Sequence, residues 1–197
     1  ALATRLGVSV IATISNNYIQ GKESGGSLIN QRYIDDVSKV VKQLAETHRP
    51  NALIIAAQGM LMNSIPDIEV KGVPIERVIV SEGGLSGIYE VERRGYLDKV
   101  GLKLGYNIVN RIMEELSKGS GLVALSDEVN EALSMGAVDS VAMLDKLLIE
   151  RAEESRRIID ECIRTRAKLV IVPEGSEAGK LLSGLGGLAA LLRFRIK

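Results

Sequence analysis

The chain has 197 residues, 46% hydrophobic and 25% charged, with 25 Lys+Arg against 25 Asp+Glu. That length holds one large or two ordinary domains, and neither residues 1–121 (14 basic, 13 acidic) nor residues 122–197 (11 and 12) show the positive excess of a dedicated nucleic-acid binder. Aromatics are 3% with no Trp, which speaks against base-stacking platforms, and a single Cys and single His exclude an internal disulfide framework and a His/Cys zinc site.

The lone Cys suits a reducing, cytoplasmic setting, and no run is long and apolar enough to span a membrane. The chain starts at Ala1, without Met or a secretory pattern, as a processed or trimmed chain would. Acidic residues are plentiful enough to leave carboxylate magnesium sites open.

In chain order, residues 7–14 (GVSVIATI) form a β-branched run that predicts a strand, with Asn16-Asn17 as a hairpin turn and 18–21 as the return strand. A polar glycine loop, 22–27 (KESGGS), follows. Residues 29–48 carry Tyr33, Val37, Val40, Val41 and Leu44 at helical spacing, and Pro50 stops that helix. Residues 52–57 (ALIIAA) predict a buried strand, 58–76 an irregular surface stretch, and 77–81 another strand. A short helix over 85–94 closes at Gly95. A longer one over 100–116 places Leu104, Ile108, Ile112 and Leu116 at steps of four, and Lys118–Gly121 reads as a linker.

Beyond the linker the pattern predicts a helix over 127–135 ended by Gly136, a strand over 137–143, a helix over 147–165 and a strand over 168–172 stopped by Pro173. Ser176 is placed to cap a helix over 177–183. Gly184, Gly186 and Gly187 then turn the chain into a strand over 188–196. Strands and helices alternate in both halves, so the expected fold is α/β with two domains, 1–120 and 122–197, each a mixed or parallel sheet with helices on both faces.

Chemistry-bearing patterns are few. Gly175-Ser176-Glu177-Ala178-Gly179-Lys180 looks like a phosphate loop but is one residue short, and Leu181 stands where Ser or Thr would hold magnesium. Helix packing explains it better. His48 reads as a capping or surface residue and Cys162 as buried packing. No Ser/His/Asp triad and no carboxylate pair for acid–base work is evident, so no catalytic residue is expected. Lys22, Gly25, Gly26 and Arg32 around the glycine loop, Gly59 after the buried strand, and the basic pair Arg93-Arg94 are the candidate partner- or RNA-binding positions. Arg93-Arg94 equally suits a helix C-terminus, complementing its dipole.

Three segments carry a family resemblance: Gly136-Ala137-Val138, Glu177-Ala178-Gly179, and Leu185-Gly186-Gly187-Leu188-Ala189-Ala190-Leu191-Leu192-Arg193-Phe194. Together they resemble the C-terminal domain shared by Pelota and the archaeal and eukaryotic class-one release factors. Residues 81–95 (SEGGLSGIYEVERRG) are similar to a Pelota pattern in the preceding, central domain. Release factors carry Gly-Gly-Gln before the long helix of that domain; here Gly25-Gly26 is followed by Ser27. Many Pelota proteins carry Pro-Gly-Phe after the buried strand, where this chain has Gln58-Gly59-Met60.

The resemblance implies a cytoplasmic ribosome-rescue and mRNA-surveillance factor that recognises stalled ribosomes. Its implied partners are the ribosome, an elongation factor 1-alpha-type GTPase that delivers it and an ABC-type recycling ATPase, with RNA met only on the ribosome. A divergent release factor and a metal-dependent RNA endonuclease are the alternatives. Nuclease activity in the family is credited to an N-terminal domain with no counterpart in these residues. A divalent metal therefore enters only by analogy, and no cofactor is evident.

Overall fold

The computed structural model, which describes residues 1–4, 7–14 and 31–196, has two two-stranded sheets in its first half and one four-stranded sheet in its second. The fold is mixed α/β and divides into two compact units, Ala1–Leu97 and Asp98–Lys197.

In the first unit, β1 (Leu2–Thr4) pairs antiparallel with β2 (Gly7–Ser9). Helix α1 (Gln31–His48) is followed by β3 (Leu53–Ala57), the short helix α2 (Gly59–Met62) and β4 (Ile75–Ile79). β3 and β4 run parallel, in register from Leu53↔Ile75 to Ala57↔Ile79. Their carboxyl ends, with the loops that leave them, therefore lie at one edge. Val78 and Val80 join Val91 of α3 (Gly84–Arg93) in a small core, against which Ile54, Tyr96 and Leu97 pack.

Helix α4 (Tyr96–Ser117) begins in this unit and continues into the second. There Val109 and Ile112 are fully buried in the main core. Gly105, also buried, faces Val172 of the second unit, and a Cβ there would lie 3.5 Å away, an ordinary contact. The remaining elements are β5 (Val123–Leu125), α5 (Glu128–Ser134), β6 (Val138–Leu144), α6 (Leu147–Glu150), α7 (Ala152–Thr165), β7 (Lys168–Val172), α8 (Glu177–Gly184) and β8 (Leu188–Leu192). The sheet order is β5-β8-β6-β7, with β8 antiparallel to both neighbours and β6 parallel to β7. β6 and β8 are central, and their side chains are buried almost throughout, which explains why both read as continuous apolar runs rather than alternating ones.

Several expectations need correction. The contacts divide the chain at Asp98, not at Lys118–Gly121, because the apolar face of α4 is buried with the second unit. The stretch 118–121 is a turn leading into β5, a strand too short to register as a pattern. The helix expected over 147–165 is two, broken at Arg151 (φ −130°, ψ 52°), and the Ser155 hydroxyl donates to the Leu147 carbonyl at 2.8 Å across the break. The stretch 58–76 is not wholly irregular, since it contains α2 and the first residues of β4. Of residues 7–14 only Gly7–Ser9 is strand, paired upstream with β1. The expected return strand and its turn lie outside the described residues.

The last strand stops at Leu192 rather than 196. Arg193 instead ties together two helix ends. Its main-chain N–H donates to the Ala137 carbonyl at 2.7 Å, and its guanidinium donates to the Gly136, Thr165 and Arg166 carbonyls at 3.2 to 3.4 Å. These acceptors sit just beyond α5 and at the end of α7, where carbonyls lack partners within their own helices.

Candidate functional site

The loops leaving β3 and β4 form the best-defined polar cluster of the first unit. Gln58 precedes α2, and its side-chain amide donates to the Ser81 carbonyl at 3.0 Å, linking the two loops. The Ser81 N–H donates to Glu90 Oε2 at 2.8 Å. Arg94, just past the end of α3, donates to the Ile79 carbonyl at 2.7 Å and to Glu90 Oε1 at 3.1 Å. Its guanidinium carbon also stands 5.1 Å from the centre of the Tyr96 ring. The Ser81 N–H, more than any other favourable contact, holds the Glu90 carboxyl below its usual range; the Ser81 hydroxyl and Arg94 add to this and desolvation opposes it.

Gly59 opens α2 beside this cluster, and a Cβ there would lie 3.8 Å from Ile79. Next to it Met60 is 73% exposed and Ile79 59% exposed, so the rim of the cluster is apolar. Gly59 and Arg94 are thus brought together around Ile79. Arg93 is exposed at the end of α3, whereas Arg94 is engaged with the protein itself, so the two arginines have separate surroundings. Arg32 is exposed on the first turn of α1. Lys22, Gly25 and Gly26 lie outside the described residues.

Sequence reasoning missed Arg77. Its guanidinium donates to the carbonyls of Met62, Ile65 and Pro66 and pairs with Asp67 at 2.9 Å, fixing the loop between α2 and β4. A charged pair, Glu76-Arg77, within a short strand flanked by apolar residues was the available signal. Gln58 carried none, because its partner is a backbone carbonyl 23 positions away, and Glu90 carried only its i,i+4 spacing to Arg94.

In the second unit the phosphate-loop lookalike is occupied internally. The Gly179 N–H donates to Ser176 Oγ at 2.9 Å, the expected cap, and that hydroxyl donates to the Pro173 carbonyl at 2.6 Å. A Cβ on Gly179 would stand 2.1 Å from the Pro173 oxygen, so the glycine serves close packing between helix and loop. Nearby, Lys146 pairs with Glu174, whose N–H donates to Asp145 Oδ1 at 3.0 Å. Cys162 is buried, and burial pushes its thiol up to about 11, which leaves little thiolate at neutral pH. Among the described residues no group of three or more His, Cys, Asp or Glu is placed to hold a metal ion, and no helix is long and apolar enough to cross a membrane.

Comparison with known proteins agrees with the architecture. The family described as eRF1 domain 3 matches residues 105–196, beginning inside α4 as the second unit does. A protein pelota homolog of Caldivirga maquilingensis is 90% identical over 197 residues, covering 100% of this chain and 58% of the relative. One of Thermococcus onnurineus is 34% identical, covering 100% of this chain and 58% of the relative. Among solved structures, a model of ribosome-bound archaeal Pelota and ABCE1 is 32% identical with a TM-score of 0.55, over 84% of this chain and 50% of that one. The chain thus spans well under two thirds of the curated relatives it matches. Along its whole length the chain is similar to pelota homologs, at 90% identity to one of them, and its residues 105–196 match the release-factor-type domain.

Proposed function

We propose that this chain provides the central and C-terminal domains of a cytoplasmic ribosome-rescue factor. The first compact unit corresponds to the central domain and the second to the C-terminal domain. In this reading the factor recognises stalled ribosomes, is delivered by a translational GTPase of the elongation factor 1-alpha type, and promotes subunit dissociation with an ABC-type ATPase. It releases no peptide, and it meets RNA only on the ribosome.

The observation that carries the reading is 90% identity over the whole chain to a pelota homolog. The likeness to an archaeal Pelota whose structure is described as ribosome-bound together with ABCE1 supports the partners. Ser27 after Gly25-Gly26 supports rescue over termination, because a serine hydroxyl is too short to reach where a glutamine amide would. Lys22, Arg32 and Arg93 are proposed as contacts to a partner or to ribosomal RNA, and Gly25, Gly26 and Gly59 as backbone positions in the same role. Arg94 acts on that surface indirectly, by holding the loop that precedes α3.

The test is a calorimetric titration of the chain with archaeal elongation factor 1-alpha, loaded either with a non-hydrolysable GTP analogue or with GDP. Tighter binding of the GTP form is expected. Equal binding of both forms, or none, would count against delivery by this GTPase. A parallel assay on ribosomes carrying peptidyl-tRNA should show no peptide release, and release would favour the termination reading.

A further inference from the structure

We propose that the outward face of α3 is a docking surface for a protein partner, taking an apolar segment that carries a carboxylate at one end. It rests on the ribosomal reading above only for the assembly in which it is tested. Leu85, Tyr89 and Arg93 follow one another at steps of four, so they form one stripe along the helix. The stripe lies on the side away from Gly87 and Val91, the positions that α3 buries. Leu85 is 56% exposed and Tyr89 55%. A helix on a folded surface ordinarily turns polar residues to that side. Here it turns two large apolar side chains, one turn apart, with a cation one turn further on.

Arg93 and Arg94 are adjacent but differently used. Arg94 is taken up by the Ile79 carbonyl, Glu90 and Tyr96. Among the described residues Arg93 has no hydrogen bond or ion pair. The helix dipole favours a cation at this end, but it does not account for Leu85 and Tyr89 in line with it. A carboxylate on the partner would engage the guanidinium through two parallel hydrogen bonds. A phosphate backbone fits less well, because α3 holds no second cation and exposed Glu92 cancels the charge of Arg93. Tyr and Arg are also among the side chains that most often anchor protein interfaces. What fixes α3 in place lies off this stripe. A Cβ on Gly87 would stand 2.4 Å from the Glu82 carbonyl oxygen, Val91 packs with Val78 and Val80, and Glu90 and Arg94 hold Ser81 and Ile79. The stripe is therefore presented in a fixed orientation, which lowers the entropic cost of docking.

Photocrosslinking with the whole chain tests this. Leu85 is replaced by p-benzoylphenylalanine, and the chain is mixed with archaeal ribosomes and elongation factor 1-alpha carrying a non-hydrolysable GTP analogue. Sedimentation reports binding to the assembly, and mass spectrometry identifies what position 85 touches. The expected adduct is to a protein, on a segment where an Asp or Glu adjoins apolar residues. Arg93→Glu should lower the adduct yield about tenfold through like-charge repulsion, and Arg93→Lys should retain most of it. Neither change should move the midpoint of urea unfolding, and a shifted midpoint would show that Arg93 serves the fold and overturn the proposal. An adduct to ribosomal RNA, sedimentation without an intermolecular adduct, or an adduct indifferent to Arg93→Glu would overturn it while leaving the ribosomal reading in place. Absence of sedimentation would overturn both.

Discussion

The two units hold themselves together by different means. In the second, four strands and the helices packed on them bury an aliphatic core in which Leu133, Val141, Met143, Leu144 and Leu182 have no exposed surface. In the first, the core around β3 and β4 is small, and arginines do much of the joining: Arg77 gathers the loop before β4, and Arg94 ties α3 to the end of β4. Burial contributes with every apolar atom removed from water, whereas a net hydrogen bond contributes about 1 kcal/mol. The second unit should therefore be the more stable, and most sensitive to changes of volume. The first should respond mainly to loss of particular polar contacts. Two urea transitions, each moved by mutations in its own unit, are expected. A single shared transition would break the comparison.

The largest effect should come from Gly179→Ala. The added methyl would lie 2.1 Å from the Pro173 oxygen and 2.6 Å from the Glu174 oxygen. Both are backbone atoms that cannot rotate away, so α8 must move off the loop that caps it. A loss of about 3 kcal/mol is expected from the second transition alone. Arg94→Ala should cost the first transition about 1 kcal/mol, by removing the donor to the Ile79 carbonyl, and should leave the second where it was. Equal shifts of both transitions by either variant would show that the units do not unfold independently.

The same contrast explains how much of the molecule was legible in the sequence. The second unit was read well because an aliphatic core writes itself as pattern. Residues 188–192 are a buried run and form β8, and Ser176 caps α8 as its position predicted. Leu104, Ile108 and Ile112, at steps of four, do face the core. Errors arose where polar groups act over long separations. Arg193 ends β8 because carbonyls of residues 136, 165 and 166 converge on it, and no local window contains them. Likewise Ser155 stabilises a helix break whose acceptor is eight positions upstream. Of the candidate site, Gly59 and Arg94 were named, but their meeting around Ile79 follows from the parallel register of β3 and β4. Residues 53–57 and 75–79 do not reveal that register by themselves.

The smallest predicted effect concerns acid and separates the units most cleanly. Glu90 accepts the Ser81 N–H and faces Arg94, so in the folded chain it ionises below the ordinary carboxyl value of 4.5. A carboxylate whose folded pKa is depressed stabilises the fold above its unfolded pKa, and that stabilisation disappears as pH falls through the folded value. Glu90→Gln retains a carbonyl oxygen to accept the Ser81 N–H and removes the charge. The midpoints of the first urea transition in parent and variant should therefore differ above pH 4.5 and converge below it. The second transition should show no such difference, because Glu90 belongs to the first unit. If the first-unit difference persisted unchanged into acid, ionisation of Glu90 would not be the cause, and the Arg94–Glu90–Ser81 arrangement would act through neutral contacts alone.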